Sequence, residues 1–401
     1  MSTPPHALIA GGGIGGLAAS LCLARAGWRV TLLERRRLTE DIGAGLQISP
    51  NASAILRELG VLPRLSASAL APKAIHVRRG RDGVTLAQLP IEHAERRWGA
   101  PYLLAHRGDL HRALIEAVAG EPAIKIHAEC ALVGFTADDN GVTAAVAHGA
   151  ERVSYGADCL IGADGVRSFV RERLAEMQGR AADLPDRARH VAWRALVKSN
   201  KVALELRQPE STIWLGPGAH LVHYPLRGGR LTNVVALIDD PVRIDWTADI
   251  WAQSGDPHAI AARFAGWDQR IRGLIGAAED WRLWPLVERD VAWGSGRVAL
   301  IGDAAHPILP FLGQGAAQAI EDAAMLAKEL KACAEIAPAL VSFAAARAPR
   351  VARVQRESQE QARIYHASGA FAALRDLAIL TLGRRIIARY DWLYDLSAAP
   401  A

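Results

Sequence analysis

The chain has 401 residues, 50% hydrophobic and 22% charged, with 36 glycines and 20 prolines, proportions that exclude a disordered, collagenous or coiled-coil protein. Lys and Arg number 47 against 42 Asp and Glu, a surplus of +5 with no block of like charge, so composition does not indicate nucleic acid as a partner. Cys22, Cys130, Cys159 and Cys333 stand far apart with no CxxC pair, which argues against a metal site or a disulfide framework and for a reducing compartment.

The amino terminus lacks a basic stretch, its first apolar run is broken by glycines, and no later apolar run is long enough to span a membrane. A cytoplasmic protein without a membrane partner is expected. His6 to Ala10 is a short apolar run ending in Gly11-Gly12-Gly13-Ile14-Gly15-Gly16, and Leu17 to Ala26 continues rich in Ala and Leu. That order reads as strand, glycine turn, helix. Gly27 closes the helix, and Trp28 to Leu33 is a second buried strand ending at Glu34, so a βαβ unit sets a parallel-sheet class. Helices are expected over Ser53 to Leu59 and Leu110 to Ala119, each stopped by glycine.

Alternating strands fill Ala123 to Tyr155 around a turn at Asp138 to Gly141, then Cys159 to Ala163 is a buried strand, and Val166 to Leu174 a helix. From Arg189 to Asp239, runs at Val191 to Val197, Ser211 to Leu215, Leu221 to Pro225 and Leu231 to Ile238 are parted by Gly and Pro, which predicts an antiparallel sheet. Arg297 to Gly302 returns as a strand, followed by long helices at Gly315 to Cys333 and Pro338 to Ala367. The Ala- and Arg-rich stretch from Ala344 to Arg363 reads as solvent-facing. The expected fold is mixed α/β: a discontinuous nucleotide-binding domain (1–72, 100–180, 286–336), an antiparallel-sheet substrate domain (73–99, 181–285) and a helical region (337–401).

Gly11, Gly13 and Gly16 fit GxGxxG, with Gly15 between them. The spacing permits a tight turn, close approach of a pyrophosphate to backbone N–H groups, and tight helix–strand packing. The helix N-terminus then faces the phosphates. Glu34, 23 positions after Gly11 at the tip of the second strand, is placed to accept from ribose hydroxyls and to repel a 2′-phosphate. NAD and FAD fit these residues equally.

Two later segments distinguish them. Cys159-Leu160-Ile161-Gly162-Ala163-Asp164-Gly165-Val166-Arg167-Ser168 and Gly302-Asp303-Ala304-Ala305-His306-Pro307, together with the glycine turn, resemble the three fingerprints of the single-component FAD-dependent aromatic hydroxylases. The similar branch is that of salicylate hydroxylase and 3-hydroxybenzoate 6-hydroxylase. The likeness runs from residue 8 to about residue 395 and includes Gly43 to Ala52, His106 to Leu110 and Trp392 to Asp395. It implies tightly but non-covalently bound FAD, reduced by transiently bound NADH or NADPH, with O2 as co-substrate. One oxygen then passes through a flavin C4a-hydroperoxide to a small electron-rich ring.

Beside the resemblance, Asp303 is placed to accept from the ribityl chain, Arg107 to serve the flavin's phosphate or ribityl side, and Arg35 to lie near the adenosine. By the resemblance, Asp164 lies at the pyrophosphate; Gly313, Gln314 and Gly315 lie at the isoalloxazine, and Gln47 and Pro310 are further cofactor-binding candidates, Pro310 also beside the substrate chamber. Amides opening the helix at Gly315 would stabilise negative charge on the reduced ring. The substrate chamber is expected against the antiparallel sheet, lined by Trp193, Trp214, Leu215, Val222 and Phe311. His220 and Tyr224, four apart and so on one strand face, are the catalytic candidates, with His220 suited to take a phenolic proton. His223 points the other way. Relatives acting on 6-hydroxynicotinate carry His where this chain has Gln47 and Phe311, which favours a monocyclic phenol, and a substrate carboxylate has no evident Arg partner. The expected assembly is a monomer or homodimer. Open alternatives are an epoxidase or reductase of the same fold acting on a larger apolar or heteroaromatic substrate, a flavin-free NAD-dependent dehydrogenase, and a flavin-bearing protein without turnover.

Overall fold

A computed structural model describes residues 3–38, 44–181, 183–247 and 253–396; Gly43 of the Gly43 to Ala52 stretch lies outside them. His6–Ala10 pairs in parallel with Arg29–Glu34 on one side and Cys159–Gly162 on the other. The six-stranded sheet runs in the order Gly294–Ser295, Val298–Leu300, Cys159–Gly162, His6–Ala10, Arg29–Glu34, Ile124–Ala128. All its pairs are parallel except the hairpin joining the first two.

Alternate residues of these strands serve two cores. Ala7, Ile9, Val30 and Leu32 meet the helices Ile14–Arg25 and Gly315–Ala332. Leu8, Ala10, Leu33 and Leu160 face a three-stranded sheet (residues 130–157) and the helix Phe169–Met177. Cover on both faces is why the strands read as unbroken apolar runs rather than alternating ones.

The larger sheet has eight strands, in the order Ser254–Gly255, Trp281–Leu286, Arg187–Lys198, Leu231–Arg243, Ala219–Leu226, Ser211–Gly216, Ala74–Arg79, Thr85–Pro90. It is antiparallel except where Ser211–Gly216 meets Ala74–Arg79. Its outer face is buried under the helices Pro257–Arg263 and Gln269–Gly276. Its inner face meets Phe311 and the carboxy-terminal helices. The pair Gly45–Ile48 and Leu103–His106 bridges the two sheets, with Gly45 N donating to Asn233 Oδ1 at 2.8 Å.

Helix starts fall where capping dictates. Pro50 opens its helix at a position that needs no N–H. The helix expected from Leu110 begins at Arg107, because His106 Nδ1 accepts from Gly108 N. The one expected from Val166 begins at Phe169, capped by Ser168. The helix Ile336–Tyr365 is 30 residues long, about 45 Å at 1.5 Å per residue. Contrary to the solvent-facing expectation, it buries a full stripe, including Phe343, Arg347, Val351, Val354, Ser358, Ala362 and Tyr365. Among the described residues no helix is long and apolar enough to cross a membrane.

Candidate active site

Parallel pairing puts the carboxyl ends of four strands on one edge, the edge where open α/β sheets bind ligands. These ends deliver Gly11, Glu34, Asp164 and Asp303. Gly11 has φ +111°, and a Cβ there would lie 2.3 Å from Ala163 O. At Gly16 a Cβ would meet Gly11 O at 1.9 Å, whereas at Gly13 it would meet nothing. Two glycines therefore close the turn and the third leaves open room beside the helix N-terminus; Gly15 is the first full turn's contact to Ala319. Glu34 takes Gly12 N at 2.7 Å and Arg36 N at 2.8 Å, which fixes its carboxylate across the turn. Arg35 is exposed at the strand tip. His111, which the motif reading did not include, bonds Gly12 O at 2.7 Å from the neighbouring helix, and burial lowers its pKa.

Asp303 follows the strand Val298–Leu300 through Gly302, whose φ of +58° turns the chain. Its carboxyl is solvent-accessible within a recess but ringed by protein; that surrounding burial raises its pKa, while His306 and Arg107 oppose the rise. Arg107 is in the same situation, its pKa lowered by burial and sustained by Asp303. The segment is fixed from below by a polar network that the sequence reading missed. Asp322 accepts from Gly302 N (2.8 Å), His306 Nε2 (2.6 Å) and Arg347 Nε (2.7 Å). Glu321 accepts from Arg347 and Arg350, both at 2.6 Å. Burial alone would raise Asp322, but His306 and Arg347 bring it down to about 2.

Pro310 starts a short turn that ends at Gly313 (φ +64°), and Gly315 opens the helix Gly315–Ala332. The Gln314 side chain turns inward to Ser49 and Asn51, and the Gly313 amide is used within the turn, donating to Pro310 O at 3.0 Å, so the open backbone here is at Gly315. Gln47 lies against Gly313, held by the Tyr102 hydroxyl at 2.7 Å and reaching Ser211 Oγ at 3.3 Å. Asp164 sits beside the glycine turn, but its two oxygens are committed to the adjoining helix, one to Ser168 Oγ (2.5 Å) and one to Val170 N (3.2 Å). Its carboxylate is thus a cap. The other groups fit a flavin dinucleotide: a glycine turn open at Gly13, an acid at the second strand tip, an accessible carboxylate–guanidinium pair, and the amide of Gly315 at a helix start.

The inner face of the eight-stranded sheet confronts this edge. His220, Val222 and Tyr224 share it, with Leu215 and Ile213 directly opposite His220 and Val222 on the next strand. The Phe311 ring lies 5.3 Å from that of His220. Trp193 and Trp214 do not line this face. Both belong to the outer core with Phe264 and Trp267, because Trp214 is adjacent to Leu215 and successive side chains of a strand point oppositely. His223 is on the outer side too, near Trp214, where burial drops its pKa to about 3.

Arg194 is the inner-face residue that the sequence reading lacked. It stands between Ala192 and Leu196 on the same strand face, with its guanidinium 4.1 Å over the Trp284 ring. Its Nε is buried without a hydrogen-bond partner, and burial lowers its pKa to about 10. Its signal was the one cation inside the apolar run Val191 to Val197. A second unforeseen group, His366, bonds His220 from the end of the long helix.

The fold and this edge define a flavin-type dinucleotide-binding protein with a second, separate sheet. The sequence profile described as the FAD binding domain matches residues 5–358. The chain belongs to that family, and within it to the flavoprotein aromatic hydroxylases. It is 39% identical to a 3-amino-4-hydroxybenzoate 2-monooxygenase of Streptomyces platensis, over 99% of this chain and 97% of the relative. It is 36% identical to a 3-hydroxybenzoate 6-hydroxylase of Klebsiella oxytoca, over 98% and 97%. A salicylate hydroxylase solved with its substrate superimposes with a TM-score of 0.82 at 26% identity, covering 99% of both chains.

Proposed function

We propose that this FAD-dependent monooxygenase hydroxylates a small phenolic ring that carries a carboxylate, using NADH or NADPH and O2. The observation that supports the reading is one inner sheet face that carries His220, Tyr224 and Arg194, whose Nε has no hydrogen-bond partner. Bound FAD supplies the acceptance of reducing equivalents and the activation of oxygen. Gly11, Gly13 and Gly16 with Glu34 would hold its pyrophosphate and ribose end, Asp303 and Arg107 its ribityl chain, and the Gly315 amide at the helix start its ring.

Arg194 pairs with the substrate carboxylate; a half-buried guanidinium whose Nε has no hydrogen-bond partner gains from an incoming anion. The benzoate substrates named for the relatives are consistent with this. His220 is neutral, its pKa held well below 6.5 by burial and by the neighbouring His366 and His190. With Nδ1 engaged by His366 at 2.8 Å, Nε2 takes the phenolic proton, which makes the ring nucleophilic. Tyr224 stays protonated, since burial raises its pKa, and orients the substrate as a donor. Val222, Leu215, Ile213 and Phe311 supply apolar walls that keep water from the reacting face.

The test is a panel of hydroxybenzoates and aminohydroxybenzoates, beside uncharged phenols, offered to the FAD-loaded protein with NADH or NADPH. A carboxylated phenol is expected to accelerate nicotinamide oxidation and to appear as an oxygenated product. No acceleration by any of them rejects the reading.

A further inference from the structure

On that reading of the site, we infer that His366 and Asp239 form a positioning relay behind His220, which fixes His220 in the tautomer with a bare Nε2 and carries the phenolic proton to solvent. The chain of contacts is continuous: His220 Nδ1 lies 2.8 Å from His366 Nε2, and His366 Nδ1 lies 2.6 Å from Asp239 Oδ1. His190 Nδ1 reaches the same oxygen at 2.7 Å. The inner end is closed, His220 being 2% exposed, while the Asp239 side chain is 36% exposed.

Donor logic determines the protons. Asp239 Oδ1 faces two imidazole nitrogens and accepts from both, so His366 carries its proton on Nδ1 and offers a lone pair at Nε2. His220 must then donate from Nδ1, which leaves Nε2 as its acceptor. In the transfer, the substrate O–H bond breaks as N–H forms at His220 Nε2. The Nδ1 proton of His220 passes to His366 Nε2, and the Nδ1 proton of His366 to Asp239, which releases it to water. No electrons move. Phe311 faces all three imidazoles, at 5.3 to 5.5 Å. The other polar groups facing the relay are Tyr365, whose ring is 5.0 Å from His220, and Arg263, whose charge acts on His366.

The variants Asp239→Asn, His366→Phe and His366→Gln test this in the FAD-loaded protein. Flavin content and melting temperature establish that each is folded. 4-Nitrophenol serves as a bound reporter, its phenolate measured by absorbance against pH without turnover. Asp239→Asn and His366→Phe are expected to raise the bound nitrophenol pKa by about one unit and to slow hydroxylation of the best panel substrate at neutral pH by about 10- to 100-fold, with recovery at alkaline pH. His366→Gln, whose amide can accept from His220 and donate to Asp239, is expected to recover part of the rate. A folded Asp239→Asn and a folded His366→Phe with wild-type nitrophenol titrations and pH profiles overturn the relay, as does stoichiometric zinc retained at His190, Asp239 and His366. If the wild type hydroxylates no phenol, the functional reading fails instead, and the nitrophenol titration still judges the relay.

Discussion

Arg194→Met should change stability and binding in opposite directions. The guanidinium stands over Trp284 with Nε unpartnered, and burial lowers its pKa from 12.5 to about 10. At about 1.4 kcal/mol per pKa unit, the charged form costs the ligand-free protein about 3 kcal/mol. For this base the cost is present in full below the folded value and vanishes above 12.5, so it applies at neutral pH. Methionine keeps the apolar length without the charge. With an unfolding entropy of about 2.1 cal/mol/K per residue, the ligand-free variant should melt about 3 to 4 °C higher. The same change removes the carboxylate's partner and leaves that anion buried alone, a loss of about 2 to 5 kcal/mol. That corresponds to roughly 30-fold to several-thousand-fold weaker binding of a hydroxybenzoate, while an uncharged phenol should bind about as before. Calorimetric melting and titration of a matched acid and phenol make the measurement. A variant that melts lower and binds the acid normally refutes the assignment.

Three further outcomes follow from the geometry. Gly13→Ala should fold at wild-type stability but come off the column with little flavin, since φ is −74° and a Cβ there touches no protein atom; normal flavin content would show that the phosphates lie elsewhere. Asp322→Asn leaves Arg347 and His306 short of a buried partner and should cost about 3 to 5 kcal/mol by urea unfolding; a loss under about 1 kcal/mol would mean that the network is not what holds the Gly302 turn. Acidification should destabilise the protein partly through His223. Its folded pKa of about 3 lies below 6.5, so its contribution is complete above pH 6.5 and shrinks by about 3 kcal/mol by pH 4.5. His223→Leu should flatten the fall of melting temperature between pH 7 and 4.5, and an unchanged slope would contradict it.

The parts legible in the sequence were those written in local pattern. The glycine turn, the apolar strand before it and Glu34 after it determine a βαβ unit within a few dozen residues, and the strand ending at Gly302-Asp303 was visible as an apolar run. Strand parity was also legible, yet the chamber list placed both Trp214 and Leu215 on one face; neighbours in a strand cannot share it. What a single strand does not reveal is which face looks inward, because both faces of the eight-stranded sheet are buried and apolar. Arg194 could have been singled out as a charge amid alternating apolar residues. His366 could not, since it meets His220 across 146 positions and by way of a 30-residue helix. Arg347 lies in the stretch read as solvent-facing, and only the packing of two helices joins it to Glu321 and Asp322 in a buried network.

The central claim is that this chain transfers one atom of molecular oxygen to a carboxylated phenol. Turnover of the best hydroxybenzoate under isotopically labelled O2, read by mass spectrometry, measures it directly. One labelled oxygen per product molecule, at one nicotinamide consumed, is the expected result. An unlabelled product, or nicotinamide consumption that yields only hydrogen peroxide with every acid tested, would contradict it.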